Sequence, residues 1–208
     1  MTGGRRGTER HAGPRGELDR EGFVALVVAA AEAIAREEGL RGLGMRRLAA
    51  AVGYAPNSIY HAVGDLDQVV LRVNARTFAR LHGALTRAIG PEATARENAL
   101  GVAEAYLAFV AEAPRLWSLV PEHAMPTGDP FPDWYEEALS RTTGLVDTVL
   151  APLLPDPAER GRAVAVLWAS LHGLASLSIS GKLAVLTPEP PGALARMLVG
   201  RFLGPDPA

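Results

Sequence analysis

The chain has 208 residues, a formal net charge of −2 and 48% hydrophobic residues, which is enough for one or two packed units. Because it contains no cysteine, it has neither a disulfide framework nor a thiolate metal site. A near-neutral charge argues against nucleic-acid binding over the whole surface, although a local basic face remains compatible with it.

The first 17 residues are predicted to form a disordered basic arm. They are rich in Gly and Arg and lack the apolar segment of a signal peptide, so we expect a cytoplasmic protein. Four arginines could lie along DNA phosphates or in a minor groove: Arg5, Arg6, Arg10 and Arg15. A solvated tail is the preferred interpretation of this arm.

A helix–turn–helix is predicted over residues 43–62. Its first helix has one apolar face at i, i+3, i+4 and i+7: Met45, Leu48, Ala49 and Val52. Gly53 supplies the turn because it reaches positive φ without a steric cost, and Pro56 suits the first position of a new helix. That second helix carries the hydrogen-bonding residues Asn57, Ser58, Tyr60 and His61. The unit has the size and chemistry to enter a DNA major groove.

Long helices are predicted on both sides of this motif, one ending at Gly39 and the next capped by Asp65. Together with the segments AAEAIAREEGLRGLGMRRLAAAVG, GYAPNSIYHAV and DLDQV, this arrangement resembles the TetR family of transcriptional regulators. The resemblance implies a DNA-binding domain at 18–80 and a helical effector-binding and dimerisation domain at 81–208. Double-stranded operator DNA and a small-molecule effector are the implied partners.

The sequence departs from the family pattern at three points. Gly44 stands where the family usually has Ser or Thr as a helix cap, Val63 stands where Phe is common, and the recognition helix has no Lys or Arg. We expect DNA contacts from Arg46, Arg47, Tyr54, Asn57, Ser58, Tyr60 and His61. The resemblance places Tyr60 and His61 on phosphates, whereas Tyr54, Asn57 and Ser58 face the groove.

The rest of the chain is predicted to be helical, with proline-rich breaks. A fifth helix stops at Pro114, a loop spans 121–132, and helices follow over 134–150, 158–181 and 192–203. In the last helix we expect three residues to point inward: Leu194, Met197 and Leu198. No strand alternation occurs, so the predicted fold class is all-α.

The segment 163–181 has no charged residue and approaches the length of a membrane span. Its serines and His172 make it too polar for hydrocarbon, so we expect no membrane association. A helix that is apolar all round is otherwise buried on several sides. The run from Trp168 to Gly173 resembles the motif of a WHG-type TetR C-terminal domain. In that family the last two long helices of each subunit form a four-helix interface, which implies a homodimer.

Large apolar and polarisable residues gather around the proline-rich loop and suggest a ligand pocket. The candidate lining residues are Phe109, Trp117, His123, Met125 and Trp134, with Trp168 and His172 closing the dimer side. An ordinary hydrophobic core is the alternative. The chain lacks a P-loop, a GxSxG elbow and an HExxH helix, so we expect no catalytic residues, cofactor or metal.

These observations predict a ligand-responsive DNA-binding transcriptional regulator. A repressor released from its operator by a small apolar or aromatic molecule fits them best. The alternative is a helical small-molecule-binding protein or enzyme that kept the fold without operator binding. The absence of Lys and Arg from the recognition helix supports that alternative.

Overall fold

A computed structural model describes residues 19–125 and 130–204, and within these ranges every regular element is helical. The predicted arm therefore lies outside the described residues. The helices are α1 (Arg20–Glu38), α2 (Met45–Val52), α3 (Pro56–Val63), α4 (Leu66–Arg87), α5 (Ala95–Glu112), α6 (Pro114–Trp117), α7 (Leu119–Glu122), α8 (Asp133–Leu150), α9 (Pro157–Ile179), α10 (Leu183–Leu186) and α11 (Pro191–Phe202). A 3₁₀ turn over Leu40–Gly42 joins α1 to α2. The all-α prediction is confirmed.

Side-chain caps set the start of several helices. The Asp19 carboxylate accepts a hydrogen bond from the Gly22 amide at 2.7 Å. The Asp65 carboxylate accepts one from the Gln68 amide at 2.9 Å, which confirms the predicted cap of α4. Each bond satisfies one of the four amides that a helix start leaves unpaired. As predicted, Gly44 caps α2 without a side-chain bond.

The buried side chains form two hydrophobic clusters, and α4 contributes to both. The first joins α1, α2 and α3 to the N-terminal half of α4, and it also takes in Leu116 of α6 and Leu119 of α7. The second joins the C-terminal half of α4 to α5, α8, α9 and α11. The two units are therefore packed through shared segments, and the division at residue 80 stays a prediction.

Three details differ from the sequence expectations. Residues 121 and 122, which were predicted to lie in a loop, belong to α7, and Pro114, which was predicted to stop the fifth helix, is also the first residue of α6. In α11 the fully buried residues are Ala195 and Val199, whereas Met197 is 59% exposed. The expectation that Met197 points inward is therefore wrong. Small Ala195 instead lies on the face of α11 that packs against α5 and α9.

The long helix α9 has the length and composition of a membrane span, but one such helix is weak evidence for one. Only 28% of its most apolar stretch is buried within the chain. Most residues of that stretch thus keep some exposed surface in a single copy. This is the arrangement expected if a second chain provides the remaining burial.

Candidate DNA interface and ligand site

The turn between α2 and α3 has the predicted glycine geometry. Gly53 adopts φ 74° and ψ 28°, the left-handed region that favours glycine. The amides of Gly53 and Tyr54 both donate to the carbonyl of Ala49, at 3.0 and 3.1 Å. These bonds end α2 and redirect the chain, and α3 begins two residues later with Pro56.

One face of α3 anchors the helix, and the opposite face is open. Ile59 and Val63, one turn apart, are buried in the first hydrophobic cluster. The neighbouring polar residues point away from that cluster and are exposed: Asn57, Ser58, Tyr60 and His61. The anchored ridge fixes the direction in which the four side chains project. They form a continuous polar surface that is free to meet a ligand as large as DNA.

The three other predicted DNA contacts have different surroundings. Arg46 is exposed. Arg47 forms a bidentate ion pair with Glu38 of α1, in which Nη1 of Arg47 lies 2.6 Å from Oε2 of Glu38. The hydrogen bond from Arg47 lowers the pKa of Glu38. Tyr54 is half-buried, with its ring edge against Phe23 at 4.7 Å between centroids.

Four of the seven predicted ligand residues come together around Trp117, which is buried. Its ring lies 6.0 Å from Phe109, 6.2 Å from Trp168 and 6.1 Å from His172, measured between centroids. Tyr106, also buried, joins the cluster at 5.5 Å from both indoles. These contacts tie α5, α6 and α9 together.

A polar contact lies inside this aromatic cluster. Nδ1 of His172 lies 3.0 Å from the Tyr106 hydroxyl and 3.4 Å from Nε1 of Trp117. Because an indole N–H can only donate, Nδ1 is the acceptor and carries no proton. Burial lowers the pKa of His172 and raises that of Tyr106. The imidazole is thereby held neutral, with Nε2 carrying the proton.

An apolar cavity of about 40 Å³ lies beside the cluster, between α5, α8 and α9. Tyr106 and Trp168 form part of its wall, and aliphatic side chains form the rest. An engineered cavity that accepts benzene measures roughly 150 Å³. In this conformation the aromatic cluster is therefore closely packed, and a ligand there would have to displace side chains.

The other three predicted ligand residues lie elsewhere. His123 places Nε2 2.9 Å from the Asp67 carboxylate at the start of α4. Met125 packs against the second hydrophobic cluster. Trp134 is 37% exposed, and the guanidinium of Arg72 lies over its ring at 5.1 Å. These side chains do not share one cavity with Trp117.

A larger groove of about 580 Å³ is lined in part by Phe109 and Trp117. Its walls come from α1, α4, α5 and α6, and small residues such as Ala105 and Ala108 keep it open. We call it the α1–α4–α5 groove. It brings together two predicted ligand residues and three arginines that the sequence analysis did not single out: Arg36, Arg80 and Arg87.

The family model described as "Tetracyclin repressor-like, C-terminal domain" matches residues 99–202, half of the chain. The chain belongs to the TetR family. No curated protein matches its sequence at a significant level.

Solved structures share the TetR-family fold over most of the chain. A protein with unknown function from Rhodococcus sp. RHA1 has a TM-score of 0.71 at 24% identity, covering 93% of this chain and 95% of its own. A TetR-like transcriptional regulator from the same organism has a TM-score of 0.59 at 19% identity, with coverages of 90% and 96%. The multidrug binding protein EbrR complexed with imidazole has a TM-score of 0.58 at 22% identity, with coverages of 89% and 96%.

Sequence reasoning missed two features of this TetR-family chain. The contact between the Tyr106 hydroxyl and His172, which lie 66 residues apart, was not predicted. The arginines of the groove lie on two helices and gave no local signal. Glu38 is the last residue of α1, two residues before the short Leu40–Gly42 connection, and Arg47 lies in the first turn of α2 after it, so their positions could have suggested the pair.

Proposed function

We propose that this TetR-family protein is a ligand-responsive transcriptional regulator that binds operator DNA as a homodimer and acts as a repressor. The observation that carries the proposal is the polar face of α3. Its side chains project outward from a helix held by Ile59 and Val63, which is how a recognition helix enters a major groove. No catalytic role is assigned to any residue.

A second copy of the chain is the proposed partner for α9. Between α9 and α11 lies an open groove of about 660 Å³, lined almost entirely by apolar atoms, including Gly173, Leu194 and Met197. Two-fold pairing would cover this groove with the same surface of the partner. A dimer would also present two recognition helices, which can then meet half-sites about one helical turn apart.

The effector is proposed to be a small molecule with an apolar or aromatic part, bound in the C-terminal unit. Support comes from the aromatic residues around Trp117 and from the likeness to EbrR, a multidrug binding protein whose structure holds imidazole. An effector shifts the equilibrium only by its difference in affinity between the DNA-competent and released states. It would favour the state whose recognition helices no longer match successive major grooves.

Fluorescence anisotropy with DNA flanking the gene tests the DNA assignment. Tyr60→Ala should weaken binding to specific and unrelated DNA alike, because phosphate contacts carry no sequence information. Asn57→Ala should reduce only the preference for the operator, by about 1–3 kcal/mol if it contacts a base. Ser140→Ala, an exposed change on α8, is the control. Unchanged operator affinity in both folded α3 variants would refute the assignment.

One observation favours the second candidate function, a helical ligand-binding protein or enzyme without operator binding. The recognition helix has no Lys or Arg, and the nearby Arg47 is already paired with Glu38. Glu38→Gln separates the two functions. Releasing Arg47 should tighten DNA binding if the protein is a regulator, whereas a protein that does not use DNA should show no operator-specific binding before or after the change.

A further inference from the structure

We propose that the α1–α4–α5 groove binds an amphipathic organic anion, a molecule with an apolar body and a carboxylate head. This inference rests on the proposed function only for its regulatory consequence, since binding can be measured without DNA. The groove volume of about 580 Å³ lies within the usual range of small-molecule sites, roughly 300–1,000 Å³.

The floor of the groove suits an apolar body. Phe109 and Trp117 contribute aromatic surface, and Ala105 and Ala108 of α5 face Gly83 and Ala84 of α4 across it. Because these residues are small, two neighbouring helices leave a channel instead of interlocking side chains. Most of the lining residues are apolar, so an alkyl chain or flat ring would be removed from water there.

The rim of the groove suits an anionic head. Arg36 of α1 and Arg80 of α4 both pair with one carboxylate, that of Glu32. Arg87, in the last turn of α4, is exposed and has no ion pair among the residues that the structure describes. Glu112 supplies the acidic group of the lining. Three guanidinium groups thus face two carboxylates, leaving an excess of positive charge.

Arginine fits a carboxylate better than a lysine would, because its planar fork can donate two parallel hydrogen bonds. Arg87 can make such a pair without giving up an existing partner. A neutral ligand with the same apolar body would fill the floor but leave this donor unused. The site should therefore discriminate by charge as well as by shape.

The position of the groove gives the bound anion a route to the DNA-binding unit. Arg36 belongs to α1, which packs against α2, α3, α4 and α6, whereas Phe109 and the alanines of the floor belong to α5. A ligand that contacts both walls would bind more tightly to one arrangement of α1 relative to α5. That difference in affinity is what couples an effector site to a distant surface.

Isothermal titration calorimetry of the full chain tests the proposal with octanoate and 1-octanol, which share one chain length and differ in charge. Octanoate should bind about tenfold more tightly than 1-octanol, as one charge-assisted hydrogen bond predicts. Arg87→Gln should remove most of that preference, whereas Arg76→Gln, on the same helix but outside the groove, should retain it. Equal affinity for the two ligands, or no octanoate binding at millimolar concentration, would overturn the proposal.

A groove-filling variant tests the location. Ala108 and Ala111 are both exposed on α5, but only Ala108 lines the groove. Ala108→Phe should weaken octanoate binding at least about tenfold, and Ala111→Phe should bind as the wild type does, with circular dichroism confirming that both fold. Equal binding by the two variants would place the ligand elsewhere. If octanoate binds but leaves the affinity for DNA unchanged, the binding site is supported and its regulatory role is contradicted. If the protein binds no DNA, only the proposed function is contradicted.

Discussion

Gly173→Glu should dissociate the proposed homodimer without unfolding the chain. Gly173 lies in the apolar groove between α9 and α11, and among the described residues no atom outside its own stretch of helix backbone lies within 4 Å of the position its Cβ would take. The single chain therefore has room for a glutamate, which would remain in water. In a dimer covering that groove, the same carboxylate would be buried without a partner.

The magnitude follows from the symmetry of the interface. An uncompensated buried charge costs about 3–5 kcal/mol, and a two-fold interface would bury the residue twice. The dissociation constant should therefore rise by at least about 10⁴-fold, since each 1.4 kcal/mol is a factor of ten. A wild-type chain that is dimeric at micromolar concentration should become a monomer under the same conditions.

Sedimentation velocity over a series of concentrations measures this change. Gly161→Glu is the matched control, because Gly161 lies on the same helix, is also open to substitution and does not line the groove. It should sediment as the wild type does. A monomeric wild type, or a Gly173→Glu variant that dimerises normally, would show that this face of α9 is not the interface.

Three further outcomes are expected from equilibrium unfolding at one fixed protein concentration. Gly101→Ala should destabilise the fold by about 1–2 kcal/mol, because its Cβ would lie 2.9 Å from a backbone carbonyl at the end of α4. Gly144→Ala should stabilise the fold by about 0.5–1 kcal/mol, because outside its own stretch of helix backbone an added Cβ would meet nothing within 4 Å. Equal effects of the two substitutions would refute the packing argument. Burial lowers the pKa of His172, so the imidazole binds a proton more readily in the unfolded chain than in the folded one. The free energy of unfolding should therefore fall as the pH drops below about 6.5 and level off once the pH is below the lowered pKa. If a His172→Gln variant showed the same dependence of stability on pH, His172 would not be its source. Trp117→Ala should lower the free energy of unfolding by about 3–5 kcal/mol because the ring is buried. Trp134→Ala should lower it by about 1 kcal/mol or less, because that ring is partly exposed. Similar losses of stability in the two variants would contradict the different surroundings of the two rings.

Local signals in the sequence were sufficient for the helix–turn–helix and for the start of α4. Conformational preferences and hydrogen bonds that span five residues or fewer set the turn at Gly53, the start of α3 at Pro56 and the cap at Asp65. Such features are readable from spacing alone. The buried ridge of Ile59 and the exposed position of Asn57 follow from the same helical period.

Contacts between distant residues required the tertiary structure. The pairing of Arg47 with Glu38 and the meeting of Tyr106 with His172 depend on how helices cross, which no local pattern encodes. The same reason explains Trp134, which was assigned to the pocket by its chemistry but lies at the surface. An aromatic residue has the same preference for burial at either place, and packing decides which one is covered.

The last helix shows the same division between local and tertiary information. Its existence and approximate ends follow from its composition, but apolar residues occupy more than one of its faces. The period of the sequence therefore could not choose between Met197 and Ala195 as the inward side chain. The close approach of α11 to α5 and α9 selected the small Ala195, because tightly packed helices leave space for a methyl group where a longer side chain would clash.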